Sequence, residues 1–303
     1  MPISNETLRV IRIVAKHRNL SVAADELNKV PSAISYTVRK LEETMGVLLF
    51  ERQGRNIILT AAGEYFINHS KSILDEFDAL KRNTVLVHEG IERELSIVVN
   101  NLAPRAAIAD FAVAFEREFP ATRLNLCIGV YNGCWEALYD GRADLTIAAP
   151  HAVPSSEGIL SRIIGSLEWD FVVGNAHPLA QVTTPMQSNE LRRYTAICTK
   201  DTAVNFPPQQ AWLLEGQKSM FVPDYEMAME LIARNIGVGY LPHHLCQPLL
   251  DSGKLIKKPM KEHKHPTRLF IAHRDQTLGK TRQWCLDYLS RPEIKAQWCG
   301  KLL

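Results

Sequence analysis

The chain has 303 residues, 46% of them apolar and 22% charged, with a formal net charge of +2. This balance is typical of a globular protein, and the length allows two or three domains with separate cores. No apolar run approaches the roughly 20 residues needed to span a bilayer, and no apolar signal-peptide core follows Met1, so a reduced cytoplasmic protein without a membrane partner is expected.

The distribution of charge is more informative than its sum. Residues 9–58 contain nine Lys or Arg against five Asp or Glu, whereas residues 59–90 contain three against five. The excess positive charge is therefore concentrated near the N-terminus, which suggests an anionic partner for that segment.

The first 58 residues are predicted to form short helices and turns. In the first helix an apolar stripe of Leu8, Ile11, Val14 and Ala15 follows helical spacing. Ser21 is predicted to be the N-cap of the second helix. A three-residue turn at 28–30 follows, with Asn28 in a place that often requires a positive φ.

The helix after this turn is predicted to start at Pro31 and to stop at Gly46. Ile34, Val38 and Leu41 face inward, so the residues between them form an outer polar face. Helix, turn and helix in this arrangement predict a helix-turn-helix motif whose second helix enters the DNA major groove. The alternative for this outer face is an ordinary solvated helix surface.

Residues 47–59 are predicted to form a β-hairpin, or wing, beside this helix. Side chains near the start of the helix reach bases, while cationic side chains further along it and on the wing contact phosphates or the minor groove. The predicted DNA contacts are Ser21, Ser32, Ser35, Tyr36, Arg39, Lys40, Arg52 and Arg55.

A long helix is predicted from the cap Thr60 to about His88, with an apolar stripe that includes Phe66, Ile73 and Phe77. Such a helix spans about 40 Å, which is too long to pack on the small N-terminal region alone. Pairing with a second copy of the chain is therefore expected. The alternative is packing against the C-terminal part of the same chain.

From residue 91 onward, strands and helices alternate in two sets, which predicts two α/β lobes with mostly parallel sheets. The first lobe is assigned to residues 91–164 and 267–303, and the second to residues 165–266. Ligands are expected at the carboxyl ends of the strands.

The segments "AADELNKVPSAISYTVRKLEETMGVLLFER" and "LTAAGE" closely resemble the DNA-binding region of LysR-type transcriptional regulators, and "GRADLTI", "HPLA" and "GVGYLP" extend the resemblance over nearly the whole chain. The resemblance implies a winged helix-turn-helix over 1–59, a dimerising linker helix over 60–90, and an effector-binding domain over 91–303 that is two-lobed like periplasmic binding proteins. It also implies a homotetramer, with promoter DNA, a small-molecule effector and RNA polymerase as partners.

The start of the helix after the turn departs from the family pattern. Where the family often has Gln followed by Pro, this chain has Pro31 and Ser32, and Tyr36 stands where Arg is frequent. The usual Gln base contact is thus absent, so the operator preference of other members does not transfer to this chain.

Polar and aromatic residues follow the predicted strands where an effector would bind. Asp201 and Thr202 occupy a place that lines the inducer pocket in similar proteins. The predicted effector contacts are Asn100, Asn101, Tyr131, Asn132, Trp135, Asp201, Thr202, Asp224 and Glu226. The alternatives are helix caps at Asn132 and Asp224 and a core position for Trp135.

These predicted contacts are amides, hydroxyls and aromatic rings, which suit a neutral or hydrogen-bonding ring better than a simple dicarboxylate. The segments "NGCWEAL", "VPDYE" and "PSAISYTV" further resemble regulators of purine nucleoside and allantoin use. The sequence thus predicts a regulator that responds to a small, purine- or nucleoside-related effector. The alternative is a small-molecule-binding protein or an enzyme built on the two lobes.

The motifs of other chemistries do not support an enzyme or a cofactor. The six cysteines form no CxxC pair, and no Gly-rich phosphate loop or GxSxG elbow occurs in the chain. The pairs His243-His244 and His263-His265 lack Cys or acidic partners at ligand spacing, so surface loops are expected there and no metal or cofactor is predicted.

Overall fold

The computed structural model describes residues 3–53, 56–151, 158–209 and 212–299. The chain divides into two compact units, Met1–Glu89 and Gly90–Leu303. No helix in the described ranges combines the length and apolar character that crossing a membrane requires.

The first unit is a helical bundle with a two-stranded hairpin. Its elements are α1 (Asn5–His17), α2 (Leu20–Glu26), α3 (Pro31–Met45), β1 (Phe50–Gln53), β2 (Asn56–Leu59) and α4 (Ala61–His88). β1 and β2 are antiparallel, with Arg52 opposite Ile57. The core lies between α1, α2, α3 and the hairpin, where Ile11, Ala24 and Ile34 are fully buried.

The N-cap of α2 is Asn19 and the prediction of Ser21 was wrong. The Asn19 side chain accepts hydrogen bonds from the backbone N–H groups of Ser21 and Val22, so Ser21 lies inside the first turn. Asn and Ser are about equally good caps. Local propensity could therefore not distinguish two candidates that lie two residues apart.

The predictions for α3 are confirmed. Asn28 has a φ of 52° in the preceding turn, Pro31 is the first helical residue, and Gly46 ends the helix with a φ of 70°. Ile34, Val38 and Leu41 are buried, which fixes the side of α3 that faces solvent.

The helix α4 begins at the predicted cap, since Thr60 Oγ1 accepts the N–H of Gly63 at 3.0 Å. Phe66 packs against the core of the first unit, whereas Phe77 and Leu80 are 42% and 63% exposed. The distal half of α4 therefore presents an apolar face that its own unit does not cover.

The second unit alternates strands and helices. Its elements are β3 (Glu94–Asn100), α5 (Arg105–Glu118), β4 (Arg123–Gly129), α6 (Asn132–Tyr139), β5 (Leu145–Pro150), β6 (Ile159–Leu167), β7 (Trp169–Gly174), β8 (Ala196–Thr199), β9 (Ser219–Val222), α7 (Tyr225–Ala233), β10 (Gly239–Pro242), α8 (His243–Asp251), β11 (Leu255–Lys257), β12 (Thr267–Arg274), α9 (Lys280–Tyr288) and α10 (Pro292–Trp298).

The described strands form two lobes, and the sheets are mixed. The first lobe has the strand order β4-β3-β5-β12-β6, in which β3 is parallel to β4 and β5, while β12 is antiparallel to both neighbours. The second lobe holds the antiparallel sheet β10-β7-β11 and the parallel pair β8-β9.

The prediction of mostly parallel sheets was therefore wrong. A single residue separates the end of β6 from the start of β7, so the chain leaves the first lobe there, and it returns through β12 after β11. The returning strand β12 runs opposite to β5 and β6, between which it is inserted. Periodicity in the sequence reveals strands but not their directions.

The histidine pair at 243–244 begins the helix α8, so the expected surface loop was wrong. His243 Nδ1 lies 2.6 Å from Asp170 Oδ2, and His244 Nε2 lies 3.0 Å from the carbonyl oxygen of Leu102. Both rings are therefore structural, and they join α8 to β7 and to the chain that follows β3.

Candidate DNA-binding surface and effector cleft

The outer face of α3 and the hairpin form one surface in the first unit. Tyr36 is 63% exposed, and Ser32 is exposed one turn before it. Ser35, Arg39 and Arg52 line a common groove of about 270 Å³ between α3 and β1. This surface brings together residues that can reach base edges and residues that can pair with phosphates.

The predicted cationic contacts differ in whether a carboxylate of the same chain pairs with them. Arg39 and Arg52 are exposed and have no carboxylate partner in the described part of the chain. Lys40 Nζ lies 3.3 Å from Glu43 Oε2, an exposed pair that contributes little stability and does not hold Lys40 in place. Arg55 lies outside the described residues.

A carboxylate that the sequence did not single out positions the hairpin against α3. Glu42 Oε1 accepts the backbone N–H groups of Leu49 and Phe50 at 2.7 and 3.0 Å. Charge-assisted hydrogen bonds of this kind are about twice as strong as neutral ones. Glu42 therefore fixes the start of the wing relative to the helix that it flanks.

In the second unit, a cavity of about 360 Å³ opens between the lobes. We call it the effector cleft. Its lining residues are Tyr131, His151, Trp169, Ser188, Trp212, Leu214, Tyr240, Glu262, His263, Lys264 and Thr267. Tyr131 and His151 come from the first lobe, and most of the others belong to the second lobe.

Tyr131, a predicted effector contact, lies in the effector cleft and also joins the lobes. Its hydroxyl lies 3.3 Å from both the Tyr225 hydroxyl and Thr199 Oγ1, which belong to the second lobe. Burial raises the pKa of Tyr131, so the hydroxyl stays protonated and can donate.

Lys264 is a cation in the effector cleft that the sequence did not reveal. Its Nζ lies 3.7 Å from the centroid of the Trp169 ring and 5.3 Å from that of Tyr240. Burial lowers the pKa of Lys264 to about 8. Burial, together with the charge of Lys264, also lowers the pKa of His151, so this ring is neutral at physiological pH.

Asp201 holds the N-terminus of α6 instead of facing an open pocket. Its carboxylate accepts the backbone N–H groups of Asn132, Gly133, Ala203 and Gln209 at 2.8–3.2 Å. The positive end of the α6 dipole is therefore already occupied by a carboxylate of the same chain.

Two more predicted effector contacts share this structural role. The Asn132 amide donates to the carbonyl oxygen of Pro207 at 2.8 Å, and Thr202 Oγ1 accepts the N–H of Val130 at 3.0 Å. Asn132, Thr202 and Asp201 together fasten the loop 201–209 of the second lobe to α6 of the first.

Asn100 and Trp135 are not placed to contact an effector. Asn100 is fully buried, where its amide donates to Cys134 Sγ and its oxygen accepts the N–H of Leu102. Trp135 is 1% exposed in the core of the first lobe and donates to the carbonyl oxygen of Pro150. For Trp135 the sequence had left this core position open.

The remaining predicted contacts line a separate cavity of about 300 Å³. Here Arg105 of the first lobe bridges Glu226 at 3.0 Å and Asp224 at 3.4 Å in the second. Asp224 also caps α7, as the sequence allowed, by accepting the N–H of Met227. Asn101 is the third predicted contact in this cavity, and its amide nitrogen has no partner within the described structure. Of the nine predicted effector contacts, one lines the effector cleft, three line this separate cavity, and the other five line neither of the two.

Two family models match separate parts of the chain. Residues 6–64 match the family described as bacterial regulatory helix-turn-helix protein, lysR family, and residues 88–291 match the LysR substrate binding domain. The chain is 33% identical over 296 residues to the HTH-type transcriptional regulator PunR of Escherichia coli strain K12. The aligned residues make up 97% of this chain and 96% of the relative.

A second relative is the HTH-type transcriptional activator AllS of Klebsiella pneumoniae, 35% identical over 252 residues, or 83% of this chain and 93% of the relative. Among solved structures, a mutant of OxyR from Corynebacterium glutamicum matches 98% of this chain and 96% of its own with a TM-score of 0.64 and 16% identity. The match to CrgA of Neisseria meningitidis covers 97% of this chain and 99% of CrgA, with a TM-score of 0.51 and 22% identity.

A winged helix-turn-helix followed by a two-lobed α/β domain defines a DNA-binding transcriptional regulator with a ligand-binding domain. The chain belongs to the LysR family of transcriptional regulators. This family assignment sets aside the alternative of an enzyme built on the two lobes.

Proposed function

We propose that α3 and the β1–β2 hairpin bind promoter DNA, and that a small molecule in the effector cleft changes this binding. Support for the DNA-binding face comes from Tyr36, Ser32 and Arg39, which are exposed on a helix whose opposite side is fully buried. Hydroxyl and guanidinium groups on one exposed helix face can reach base edges and phosphates together.

The chemistry of the effector cleft favours a flat, neutral ring. Four aromatic residues line it, Tyr131, Trp169, Trp212 and Tyr240, and the volume of about 360 Å³ lies within the range of small-molecule sites. The N-terminus of α6, which would otherwise attract an anion, is occupied by Asp201. A purine- or nucleoside-related effector fits this lining, and the sequence resemblance to regulators of purine nucleoside and allantoin use supports it.

Regulation would require the effector to favour one arrangement of the protein over another, because a ligand shifts an equilibrium only by its differential affinity. The hydrogen bonds between the lobes at Tyr131, Asp201 and Arg105 are the contacts that such a shift would alter.

We infer that the working form is a homotetramer built from dimers through α4. The exposed apolar residues Ile73, Phe77, Leu80 and Val87 support pairing of this helix with a second copy. RNA polymerase is proposed as a partner at the promoter, and the cytoplasm as the compartment, because transcription takes place there.

The test is binding of the full-length protein to the DNA upstream of its own gene, with and without purines and nucleosides. We expect a specific mobility shift that survives competition by random DNA and changes in extent or pattern with an active effector. No preference for upstream DNA over random DNA at low salt, with or without ligand, would contradict the proposal.

A further inference from the structure

Two hydrogen-bond donors of the effector cleft have no acceptor in the described structure. Trp212 Nε1 is buried and unpartnered. Lys264 Nζ lies over the rings of Trp169 and Tyr240, and no oxygen in the described ranges accepts its protons. An indole N–H and an ammonium group can only donate, so both await an acceptor.

Two other polar side chains of the effector cleft are already engaged in hydrogen bonds. Glu262 Oε2 accepts both the N–H and the hydroxyl of Ser188, at 3.1 and 2.8 Å. Thr267 Oγ1 accepts the indole N–H of Trp169 at 2.8 Å. The two groups singled out as unpartnered, Trp212 Nε1 and Lys264 Nζ, are therefore both donors.

We propose that the effector is a flat ring with an oxo group, whose oxygen accepts hydrogen bonds from Lys264 and Trp212. This assignment rests on the proposed function, in which the effector cleft is the regulatory site. A ring with an amino group in the same place would present a hydrogen-bond donor to the two donors of the protein. Both protein groups would then stay unpaired, which is costly in a buried site.

The aromatic residues explain how the ring would be held. The Lys264 ammonium covers the face of Trp169. The effector ring stacks on this face of Trp169 and displaces the ammonium from it. The ammonium then exchanges its cation–π contact for a charge-assisted hydrogen bond to the oxo group. Lys264 and Trp212 therefore determine specificity, while the aromatic faces supply affinity for any flat ring.

The test compares hypoxanthine with adenine, which share a purine ring and differ in an oxo or an amino group at C6. Calorimetric titration of the full-length protein is expected to show at least tenfold tighter binding of hypoxanthine. Inosine and adenosine extend the same comparison to nucleosides and are expected to rank in the same order.

The variants Lys264→Met and Trp212→Phe remove a donor and retain most of the side chain. Each is expected to weaken hypoxanthine binding at least tenfold and to reduce the preference over adenine to within about threefold. Lys261→Met, an exposed lysine outside the lining, is the matched control and is expected to leave both affinities unchanged. Thermal unfolding of each variant verifies that it is folded.

Several results would overturn the inference. They are equal affinity for adenine and hypoxanthine, undiminished hypoxanthine binding by a folded Lys264→Met, or no binding of any of the four compounds. If upstream DNA is bound specifically in these cases, the regulator assignment stands and only the ligand class fails. Loss of specific DNA binding by the wild-type protein would instead count against the proposed function.

Discussion

The DNA-binding surface and the effector cleft are built in opposite ways. Four predicted DNA contacts lie within residues 32–39 on one helix, and the helix repeat alone puts them on one face. The effector cleft draws its lining from separate segments between residues 131 and 267. A local site can be read from a short stretch of sequence, whereas a site assembled from distant segments cannot.

The two regions also differ in what their residues contribute to stability. Tyr36 and Arg52 are exposed, and neither side chain forms a hydrogen bond or ion pair within the described residues. Tyr131 and Asp201, in contrast, join the two lobes by hydrogen bonds. Substitutions on the DNA-binding surface should therefore change binding alone, while those around the effector cleft should change binding and stability together. The following predictions test that difference, beginning with the largest expected effect.

Phe111→Ala should destabilise the second unit by about 3–5 kcal/mol, because a fully buried ring is lost from a cluster with Phe115, Trp284 and Trp298. All five tryptophans of the chain lie in this unit, so fluorescence during denaturation with urea reports on it selectively. Phe111→Leu is the milder control. A loss of less than about 1 kcal/mol in the free energy of unfolding for Phe111→Ala would contradict tight packing of this aromatic cluster.

Asp201→Asn should lower the free energy of unfolding by about 2–3 kcal/mol, because an amide group cannot replace both acceptor oxygens of the carboxylate. The exposed Asp275→Asn carries the same charge change without these contacts and should be nearly neutral. Urea denaturation checks both variants. Equal stability of the two would mean that the loop 201–209 does not depend on Asp201.

Tyr36→Ala and Ser35→Ala should each weaken binding to the specific upstream site by about 1–3 kcal/mol and have little effect on random DNA. Arg52→Ala should weaken both alike and reduce the salt dependence by about one phosphate contact. Fluorescence anisotropy at several salt concentrations separates the two behaviours. Equal losses on both DNAs for Tyr36→Ala would identify Tyr36 as a backbone contact.

Lys264→Met should stabilise the second unit by on the order of 1 kcal/mol at pH 7, because it removes a charge that is partly withdrawn from water. The pKa of Lys264 is lowered from 10.5 to about 8, so between these values the unfolded chain holds a proton that the folded chain has lost. Wild-type stability should therefore rise with pH in this window, and the advantage of the variant should shrink. Denaturation at pH 7 and pH 9.5 tests this, and an advantage that is unchanged at the higher pH would argue against a buried ammonium.

Individual residues show how far the sequence could be used for prediction. Asn28, Pro31 and Gly46 were assigned correctly because each satisfies a requirement of its own backbone geometry. Asn100 and Trp135 were assigned to a ligand because they end or follow a strand, but their side chains turn inward to the core. Whether a side chain at a strand end faces the cavity or the core depends on neighbours that are distant in the chain.

The sequence by itself determined the helix-turn-helix, its inner and outer faces, the long α4 and the alternation of strands and helices, because these depend on local conformation and periodicity. Only the tertiary structure decided the direction of β12, which of the predicted effector contacts line a cavity, and the position of Lys264 over Trp169. These features depend on which distant segments meet, and burial and packing of the whole chain decide that.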